Sequence, residues 1–225
     1  MLDLGCGEGE FTARIASRAR RVVAVDRDAR ALDLARSRSP QVEYRLGDAH
    51  ALPLRDEEWG GFDVVHARFL LESARDPANV VVQMMRAVRR GGRVVLADDD
   101  HEALCLWPEC HHFSRAWAAY LRCFDSRGND SIVGRRLVEL LAAGGATALR
   151  NRSLSFDVCA GDPLFAHAVE RLLGILGGAR DVLLGGGFAT AAELDLARSE
   201  LAAWRLMSGA SIWYVLRWTQ GRRPG

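Results

Sequence analysis

Short apolar runs alternate with amphipathic segments along the first hundred residues of the chain. The apolar runs predict β-strands at residues 1–4, 21–26, 42–46, 62–67 and 93–98. Between them, the 3.6-residue spacing of apolar positions and the Pro and Gly signals predict helices at 11–20, 27–38 and 77–90, the last closed by Gly91-Gly92. Near-continuous runs such as 22–25 (VVAV) are typical of strands covered on both faces of a parallel sheet.

Strands that alternate with helices predict a Rossmann-like, doubly wound α/β fold. Ligands of such sheets bind at the carboxyl ends of the strands. Asp26, Asp48, His66 and Asp98 all fall at or just after predicted strand ends. The sequence therefore predicts a polar site along this edge of the sheet.

The pattern changes after residue 100. Residues 103–125 are rich in aromatic, His and Cys side chains, and helices are predicted at 132–143, 163–176 and 190–204. Strands are predicted within 146–158 and at 211–218, while the tail 220–225 is expected to be disordered.

A glycine-rich turn follows the first predicted strand. Gly5, Gly7 and Gly9 alternate with other residues just before a helix. Glycine allows positive φ and a close approach of ligand to backbone, and the helix start offers free N–H groups. The order is G-x-G-x-G, with Glu10 where the dinucleotide fingerprint G-x-G-x-x-G has its third glycine. By itself this turn also fits a structural strand–helix connection with no ligand.

Composition narrows the choice of protein class. The 225 residues carry a formal net charge of +1, and the 30 basic residues are all arginine without a dominant basic block, which argues against a nucleic-acid-binding protein. No apolar run has transmembrane length, and no signal peptide precedes the first strand. Five cysteines without framework spacing indicate free thiols, and we expect a cytoplasmic protein.

At this point the chain resembles the class I S-adenosylmethionine-dependent methyltransferases, in particular the ubiquinone/menaquinone methyltransferase-like group. Five segments match family motifs in order: LDLGCGEGEF, VVAVDRD, GDAHALP, FDVVHARFLLE and RAVRRGGRVVLADDD. A weaker match, LCLWPE through GRR, resembles the substrate side of small-molecule members. The resemblance implies a mostly parallel seven-stranded sheet whose last strand is antiparallel.

The resemblance also implies one methyltransferase domain over residues 1–225. Its cofactor-binding core would cover 1–102, and a helical substrate-side cover would comprise 103–144 and 162–207. Strands at 146–158 and 211–218 would close the sheet.

S-adenosylmethionine is the cofactor that the resemblance implies. The positions carried over from the family as cofactor-binding are Asp3, Gly5, Cys6, Gly7, Gly9, Asp26, Arg27, Asp48, Ala49 and His66. Within this set, Asp26 would bind the ribose diol, Asp48 and the Ala49 N–H the adenine, and Asp3 the ammonium group. Each has a plain structural alternative: Asp26 as a helix N-cap, Asp48 as the cap of its own turn, Asp3 as a turn acid and His66 as a packed histidine.

The predicted reaction is in-line methyl transfer to a small, apolar or aromatic acceptor. Candidate acceptor-binding residues are Arg68, Trp107, Trp117 and Tyr120, although Arg68 also fits an ordinary surface or ion-pair role. A hydroxyl or amine acceptor would need a base, whereas a carbon acceptor activated by its own ring would need none. The candidate bases are Asp98, His101, His111 and His112. No metal is expected, although zinc binding by some of Cys105, Cys110, His111, His112 and Cys123 is the alternative.

Two other functions remain open on the sequence. An NAD(P)-dependent oxidoreductase would share the glycine turn and the acid at position 26, but the third fingerprint glycine is missing. A non-catalytic module with the same fold is the other alternative. The family usually has a helical segment before its first strand, whereas here that strand begins at Met1. Either such a segment is missing or the site is more open. The expected partner is a small-molecule acceptor, and the sequence leaves the oligomeric state open.

Overall fold

The computed structural model describes all residues, 1–225, and divides into two compact units. Unit 1 comprises Met1–Asp99, Val133–Ser153 and Arg217–Gly225. Unit 2 comprises Asp100–Ile132 and Leu154–Leu216. Unit 1 thus contains most of the expected cofactor-binding core together with two later segments. The description of the chain as one domain stays a prediction.

The chain forms eight strands and eight α-helices in a mixed order. The strands are β1 (Leu2–Leu4), β2 (Val23–Asp26), β3 (Glu43–Leu46), β4 (Phe62–Arg68), β5 (Val88–Asp99), β6 (Cys105–Trp107), β7 (Thr147–Cys159) and β8 (Ser211–Arg222). The helices are α1 (Glu10–Ala16), α2 (Ala29–Arg38), α3 (Pro77–Ala87), α4 (His111–Ser126), α5 (Leu137–Ala143), α6 (Phe165–Gly178), α7 (Arg180–Gly185) and α8 (Ala191–Trp204). None of these helices combines the length and the apolar character needed to cross a membrane.

The sheet of unit 1 is built on parallel strands. Its order begins β3-β2-β1-β4-β5, each neighbouring pair of these strands is parallel, and β8 follows β5. The register places Asp3 beside His66 and Leu4 beside Val25, so the carboxyl ends of β1, β2 and β4 lie at one edge. This α/β arrangement confirms the predicted fold class.

Apolar residues cover both faces of this sheet. One cluster gathers buried side chains of β1, β2, β4 and β5 with those of α3 and α5, including Leu4, Met84 and Leu141. A second cluster packs Leu32 and Ala35 of α2 against the other face. The near-continuous apolar strands are therefore explained, because a strand buried on both faces has no polar side.

Unit 2 is mainly helical. Helices α4, α6, α7 and α8 share one apolar cluster, with Phe113, Val169, Leu183 and Leu201 almost completely buried. Within this unit β6 pairs antiparallel with the start of β8. Helix α8 begins with a capping box, because the Thr190 hydroxyl and the Glu193 carboxylate bond each other's backbone N–H groups.

The strand count differs from the prediction. The sheet has eight strands rather than seven, because residues 105–107, expected in a helical cover, pair with β8. The helix expected at 132–143 is shorter, with a 3-10 turn at Val133–Arg136 preceding α5. The helix expected at 11–20 ends at Ala16.

Two predictions around Gly91-Gly92 are wrong. Helix α3 ends at Ala87, and the glycine pair lies inside β5 instead of closing the helix. The tail is ordered, because the Gly91 N–H donates to the Arg223 carbonyl at 2.9 Å and the Arg223 N–H donates to the Gly92 carbonyl at 3.1 Å. Backbone pairing between segments 130 residues apart leaves no local sequence signal, so the pattern could not reveal it.

Candidate functional site

The glycine turn lies between β1 and α1 and has the predicted left-handed backbone. The φ angles of Gly5, Gly7 and Gly9 are 67°, 51° and 72°. A Cβ atom on Gly9 would lie 2.7 Å from the Tyr44 hydroxyl, whereas one on Gly7 would meet nothing within 4 Å. Gly9 is therefore required for packing against the protein, while Gly7 leaves open space beside the loop.

Asp26 ties this loop to the end of β2. Its Oδ2 accepts a hydrogen bond from the Gly7 N–H at 2.7 Å, and its Oδ1 accepts one from the Asp28 N–H at 2.9 Å. The N-cap of α2 is Asp28, whose side chain accepts from the Arg30 and Ala31 N–H groups, so Asp26 is not that cap. The half-buried Asp26 carboxylate keeps acceptor capacity at the strand end, since a carboxylate offers about four lone-pair sites. Its neighbour Arg27 is exposed.

Asp48 and Ala49 follow the end of β3. The exposed Asp48 carboxylate accepts from the His50 N–H at 2.8 Å and contacts His50 Nδ1 at 2.7 Å. These bonds to His50 hold the pKa of Asp48 below its ordinary value. Asp48 therefore caps its own turn, and its Oδ2 atom takes no part in these bonds. A backbone hydrogen bond joins the turn after β3 to the end of β2. The Gly47 N–H donates to the Asp26 carbonyl at 3.0 Å.

A buried pair of side chains joins β1 and β4. Asp3 is 3% exposed and His66 is 6% exposed, and the Asp3 Oδ1 atom lies 2.7 Å from His66 Nδ1. The second Asp3 oxygen accepts from the Thr12 hydroxyl of α1 at 2.5 Å. The Phe11 ring stacks on the His66 ring, with centroids 4.9 Å apart. Asp3 is thus engaged by two side chains of the protein and orients the His66 imidazole.

Asp3, Phe11 and His66 line a cavity of about 300 Å³ at the carboxyl ends of β1 and β4. The lining residues are Asp3, Gly5, Cys6, Glu8, Glu10, Phe11, His66, Arg68 and Phe69. The half-buried Cys6 contributes a neutral thiol, because burial, reinforced by the charges of Asp3 and Asp26, raises its pKa to about 12. All ten residues that the resemblance assigned to the cofactor lie in unit 1, and four of them, Asp3, Gly5, Cys6 and His66, line this cavity.

Asp98, a candidate base, lies at the end of β5 and is completely buried. Its Oδ2 atom accepts a hydrogen bond from the Leu71 N–H at 2.9 Å, and its Oδ1 atom has no hydrogen-bond partner. Burial, reinforced by the nearby Glu72 charge, raises the pKa of this carboxyl to about 8. At neutral pH the group is therefore mainly protonated, which does not suit a base.

His101, Trp117 and Tyr120 lie together in unit 2. The Trp117 Nε1–H donates to the His101 carbonyl at 3.0 Å, and the Trp117 and Tyr120 ring centroids are 5.2 Å apart. His101 Nδ1 lies 3.1 Å from the Tyr214 hydroxyl. Trp117 also lines an apolar cavity of about 360 Å³ with Leu104, Leu106, Phe113 and Leu121, to which Glu102, Ser114 and Ala118 contribute.

The other predicted residues of this segment do not join that cluster. Trp107 on β6 is 63% exposed and shares no ring contact with Trp117 or Tyr120. His111, the exposed first residue of α4, lies 3.3 Å from a Glu109 carboxylate oxygen. Cys110 is buried, and burial raises the pKa of its thiol to about 12.

Known proteins match mainly the first part of the chain. Residues 2–96 match a family model described as a methyltransferase domain. The demethylmenaquinone methyltransferase of Renibacterium salmoninarum is 32% identical over 101 residues, which are 45% of this chain and 41% of that protein. The match to the family model assigns residues 2–96 to the methyltransferase domain family.

Two further proteins are similar to a larger part of the chain. A 37.1 kDa uncharacterized protein in transposon TN4556 of Streptomyces fradiae is 33% identical over 151 residues, covering 64% of this chain and 42% of that protein. The structure of Haemonchus contortus phosphoethanolamine N-methyltransferase 2, solved with phosphomonomethylethanolamine and S-adenosylhomocysteine, covers 100% of this chain and 48% of that one, with a TM-score of 0.60 and 17% identity. The chain spans about two fifths of the length of these curated relatives. The resemblance and its cofactor, S-adenosylmethionine, are confirmed at the level of the family.

The methyltransferase site also contains residues that the sequence did not single out. Thr12 fixes Asp3, and the Phe11 and Phe69 rings contact the Arg68 guanidinium, whose Cζ lies 4.6 Å and 4.8 Å from their centroids. The position of Phe11 and Thr12 just after the glycine turn was an available signal. Phe69 had none, because a bulky residue gives no sign in the sequence that its φ will be 54°.

Proposed function

We propose that this chain binds S-adenosylmethionine through unit 1 and transfers its methyl group to a small apolar or aromatic acceptor. The observation that carries the proposal is the Asp26 carboxylate, which stands at the end of β2 and bonds the Gly7 N–H of the glycine turn at 2.7 Å. An acid beside a glycine turn is the arrangement that binds the ribose of an adenosine cofactor in doubly wound folds. The match to the methyltransferase domain family selects the cofactor.

The residues of unit 1 fit such a cofactor. Asp26 would accept from the ribose hydroxyls, Asp48 and the Ala49 N–H would contact the adenine, and the open space beside Gly7 would admit the ligand to the backbone. The Asp3–His66 pair lines the neighbouring cavity and would face the amino-acid tail. When bound, S-adenosylmethionine supplies a sulfonium methyl group that is transferred by in-line displacement.

The cavity of unit 2 supports the proposed acceptor class. Its cavity of about 360 Å³ is lined by Trp117 and by apolar side chains, with Glu102 and Ser114 as the polar groups. Ligand pockets of roughly 300–1,000 Å³ with mainly apolar walls are typical small-molecule sites. This supports an apolar or aromatic acceptor held by Trp117, with Tyr120 beside it.

Among the candidate bases, His101 is the one we retain. Its position against Trp117, Tyr120 and Tyr214 gives the imidazole a defined orientation among aromatic rings. Its role would be to take the proton of a hydroxyl or amine acceptor, since proton transfer by a positioned side chain contributes about 10²–10⁴-fold to a rate.

The test is calorimetric titration of the chain with S-adenosylhomocysteine, with NADH as the competing ligand. We expect binding of the first only. Asp26→Ala should weaken it by about 10- to 100-fold, because hydrogen bonds to a charged group contribute about 1.5–3 kcal/mol. Asp33→Ala, which removes an exposed acid of α2, is the matched control and should bind as the parent chain does.

A methyl-transfer assay, run beside the cofactor titration, tests the acceptor site. Trp117→Ala should leave S-adenosylhomocysteine binding unchanged and lower the rate of methyl transfer to phenolic or quinol acceptors. Stabilisation by NADH but not by S-adenosylhomocysteine would contradict the proposal. Cofactor binding without transfer to any acceptor would instead favour a non-catalytic module.

A further inference from the structure

Arg68 is the only cation that lines the cavity at the ends of β1 and β4. The acids of that cavity are engaged elsewhere: Glu10 lies 3.1 Å from Arg14, Glu8 lies 3.8 Å from Arg38, and Asp3 is held by Thr12 and His66. Arg68 forms no ion pair with any of them. The cavity therefore combines a group of partnered acids with one guanidinium that is free to bind an anion.

Two aromatic rings hold this guanidinium. Its Cζ atom lies 4.6 Å from the centroid of Phe11, on α1, and 4.8 Å from the centroid of Phe69, the residue after β4. Both distances are within the range of cation–π attraction. Because neither ring offers a conventional hydrogen-bond acceptor, the N–H donors of the guanidinium remain available to match a carboxylate in a two-point geometry. The side chain is thus oriented in advance of binding.

The backbone of Phe69 is strained, which supports a role for this arrangement. Its φ of 54° lies in the left-handed region, where a bulky side chain is an outlier. The conformation is held because the Phe69 N–H donates to the Ala97 carbonyl at 3.0 Å and the next residue, Leu70, packs where a Cβ atom on Gly5 would lie, 3.0 Å away. Strain of this kind is concentrated at functional sites.

We propose that the Arg68 guanidinium, held by Phe11 and Phe69, binds the carboxylate of the cofactor's amino-acid tail and makes this cavity selective for ligands that carry the tail. The inference rests on the proposed function. The partnered acids and the Asp3–His66 pair suit the ammonium and sulfonium groups of the same ligand, whereas Arg68 supplies the complementary charge for its carboxylate. Arg68 is thereby assigned to the cofactor rather than to the acceptor.

The experiment compares two ligands that differ in the tail. S-adenosylhomocysteine has the amino-acid tail, and 5′-methylthioadenosine lacks it. Arg68→Met keeps an unbranched apolar stem beside the rings but removes the charge, and Arg30→Met, an exposed arginine of α2, is the matched control. By calorimetry, Arg68→Met should weaken S-adenosylhomocysteine binding by about 10- to 100-fold and leave 5′-methylthioadenosine within about twofold. Arg68→Lys should give an intermediate loss, because an ammonium cannot bind in two-point geometry.

A second variant tests the rings without removing the charge. Phe69→Asn places a residue that tolerates the left-handed region at the strained position, so the fold should be kept. We expect the same tail-selective loss, smaller than that of Arg68→Met. Thermal unfolding of each variant identifies any that fails to fold.

The outcomes separate the inference from the function on which it rests. If the parent chain binds S-adenosylhomocysteine and Arg68→Met binds it equally well, the inference is wrong and the proposed function stands. Equal weakening of both ligands by Arg68→Met would also overturn it, because the loss would not involve the tail. If the parent chain binds neither ligand, the proposed function itself fails.

Discussion

Replacing Asp98 with asparagine should remove a large part of the pH dependence of this protein's stability. The carboxyl is completely buried at the end of β5, and its pKa is raised from 3.8 to about 8 by burial and by the nearby Glu72 charge. Between these two values the folded chain keeps a proton that the unfolded chain has lost. Stability from this group is therefore present below pH 3.8 and is lost as the pH rises toward 8.

The magnitude follows from that one proton. A difference of one bound proton changes the free energy of unfolding by about 1.4 kcal/mol per pH unit, so Asp98 should cost about 2.7 kcal/mol between pH 5 and pH 7. Asparagine keeps an oxygen for the Leu71 N–H, which now donates to Asp98 Oδ2 at 2.9 Å, and does not titrate. Its amide nitrogen takes the place of the unpartnered Oδ1, which lowers stability equally at every pH.

The assay is urea unfolding at pH 5, 6 and 7 of the parent chain, of Asp98→Asn and of the exposed-acid control Asp33→Asn. All other titrating groups cancel in the difference between parent and variant. We expect the parent chain to lose about 2.7 kcal/mol relative to Asp98→Asn across this range, and Asp33→Asn to follow the parent. Parallel curves for parent and Asp98→Asn would refute the reasoning. If methyl transfer were also abolished by Asp98→Asn, Asp98 would be the base that the sequence suggested.

Two further predictions concern unit 1. Gly9→Ala should lower stability by about 2–4 kcal/mol in thermal unfolding, because the φ of Gly9 is 72° and the added Cβ would lie 2.8 Å from that of Ala35. Gly7→Ala should cost about 1 kcal/mol, because a Cβ at Gly7 meets open space. Equal losses for the two variants would contradict this prediction. Glu58→Gln should cost about 2–4 kcal/mol at pH 7 by urea unfolding, because the Glu58 carboxylate accepts from Arg45 at 2.6 Å and 2.8 Å. The Arg45 bonds hold the Glu58 pKa well below its usual range, so this stability is lost as the pH falls below about 4 and the variant's deficit should shrink there; a deficit independent of pH would contradict it.

The sequence was most informative where structure depends on neighbouring residues. The order of β1 to β5, the glycine turn and the acids at strand ends follow from local periodicity and turn chemistry, and all were predicted. Predictions failed where a local sequence signal was overridden by pairing with a distant segment. Gly91-Gly92 is a good helix stop, yet pairing with Arg223 drew the pair into β5.

The chemical roles of the site residues were less predictable. Asp3 stays a predicted ligand of the cofactor's ammonium group, but the sequence did not show that the β1–β4 register sets it beside His66 or that α1 brings Thr12 to its second oxygen. Asp98 was one of the candidate bases, but its complete burial favours the protonated form. A one-dimensional pattern shows which residue follows a strand, and it does not show how much water reaches that residue.

The sequence by itself determined the fold class, the family and the positions of the glycine turn and Asp26, because these depend on short-range pattern and spacing. Only the tertiary structure decided that Phe11 and Phe69 hold the Arg68 guanidinium and that Asp98 is shut away from solvent. Burial and ring contacts arise when segments some sixty residues apart, such as Phe11 and Phe69, pack together. The free energy of a charge depends on those packed surroundings, which no stretch of sequence contains on its own.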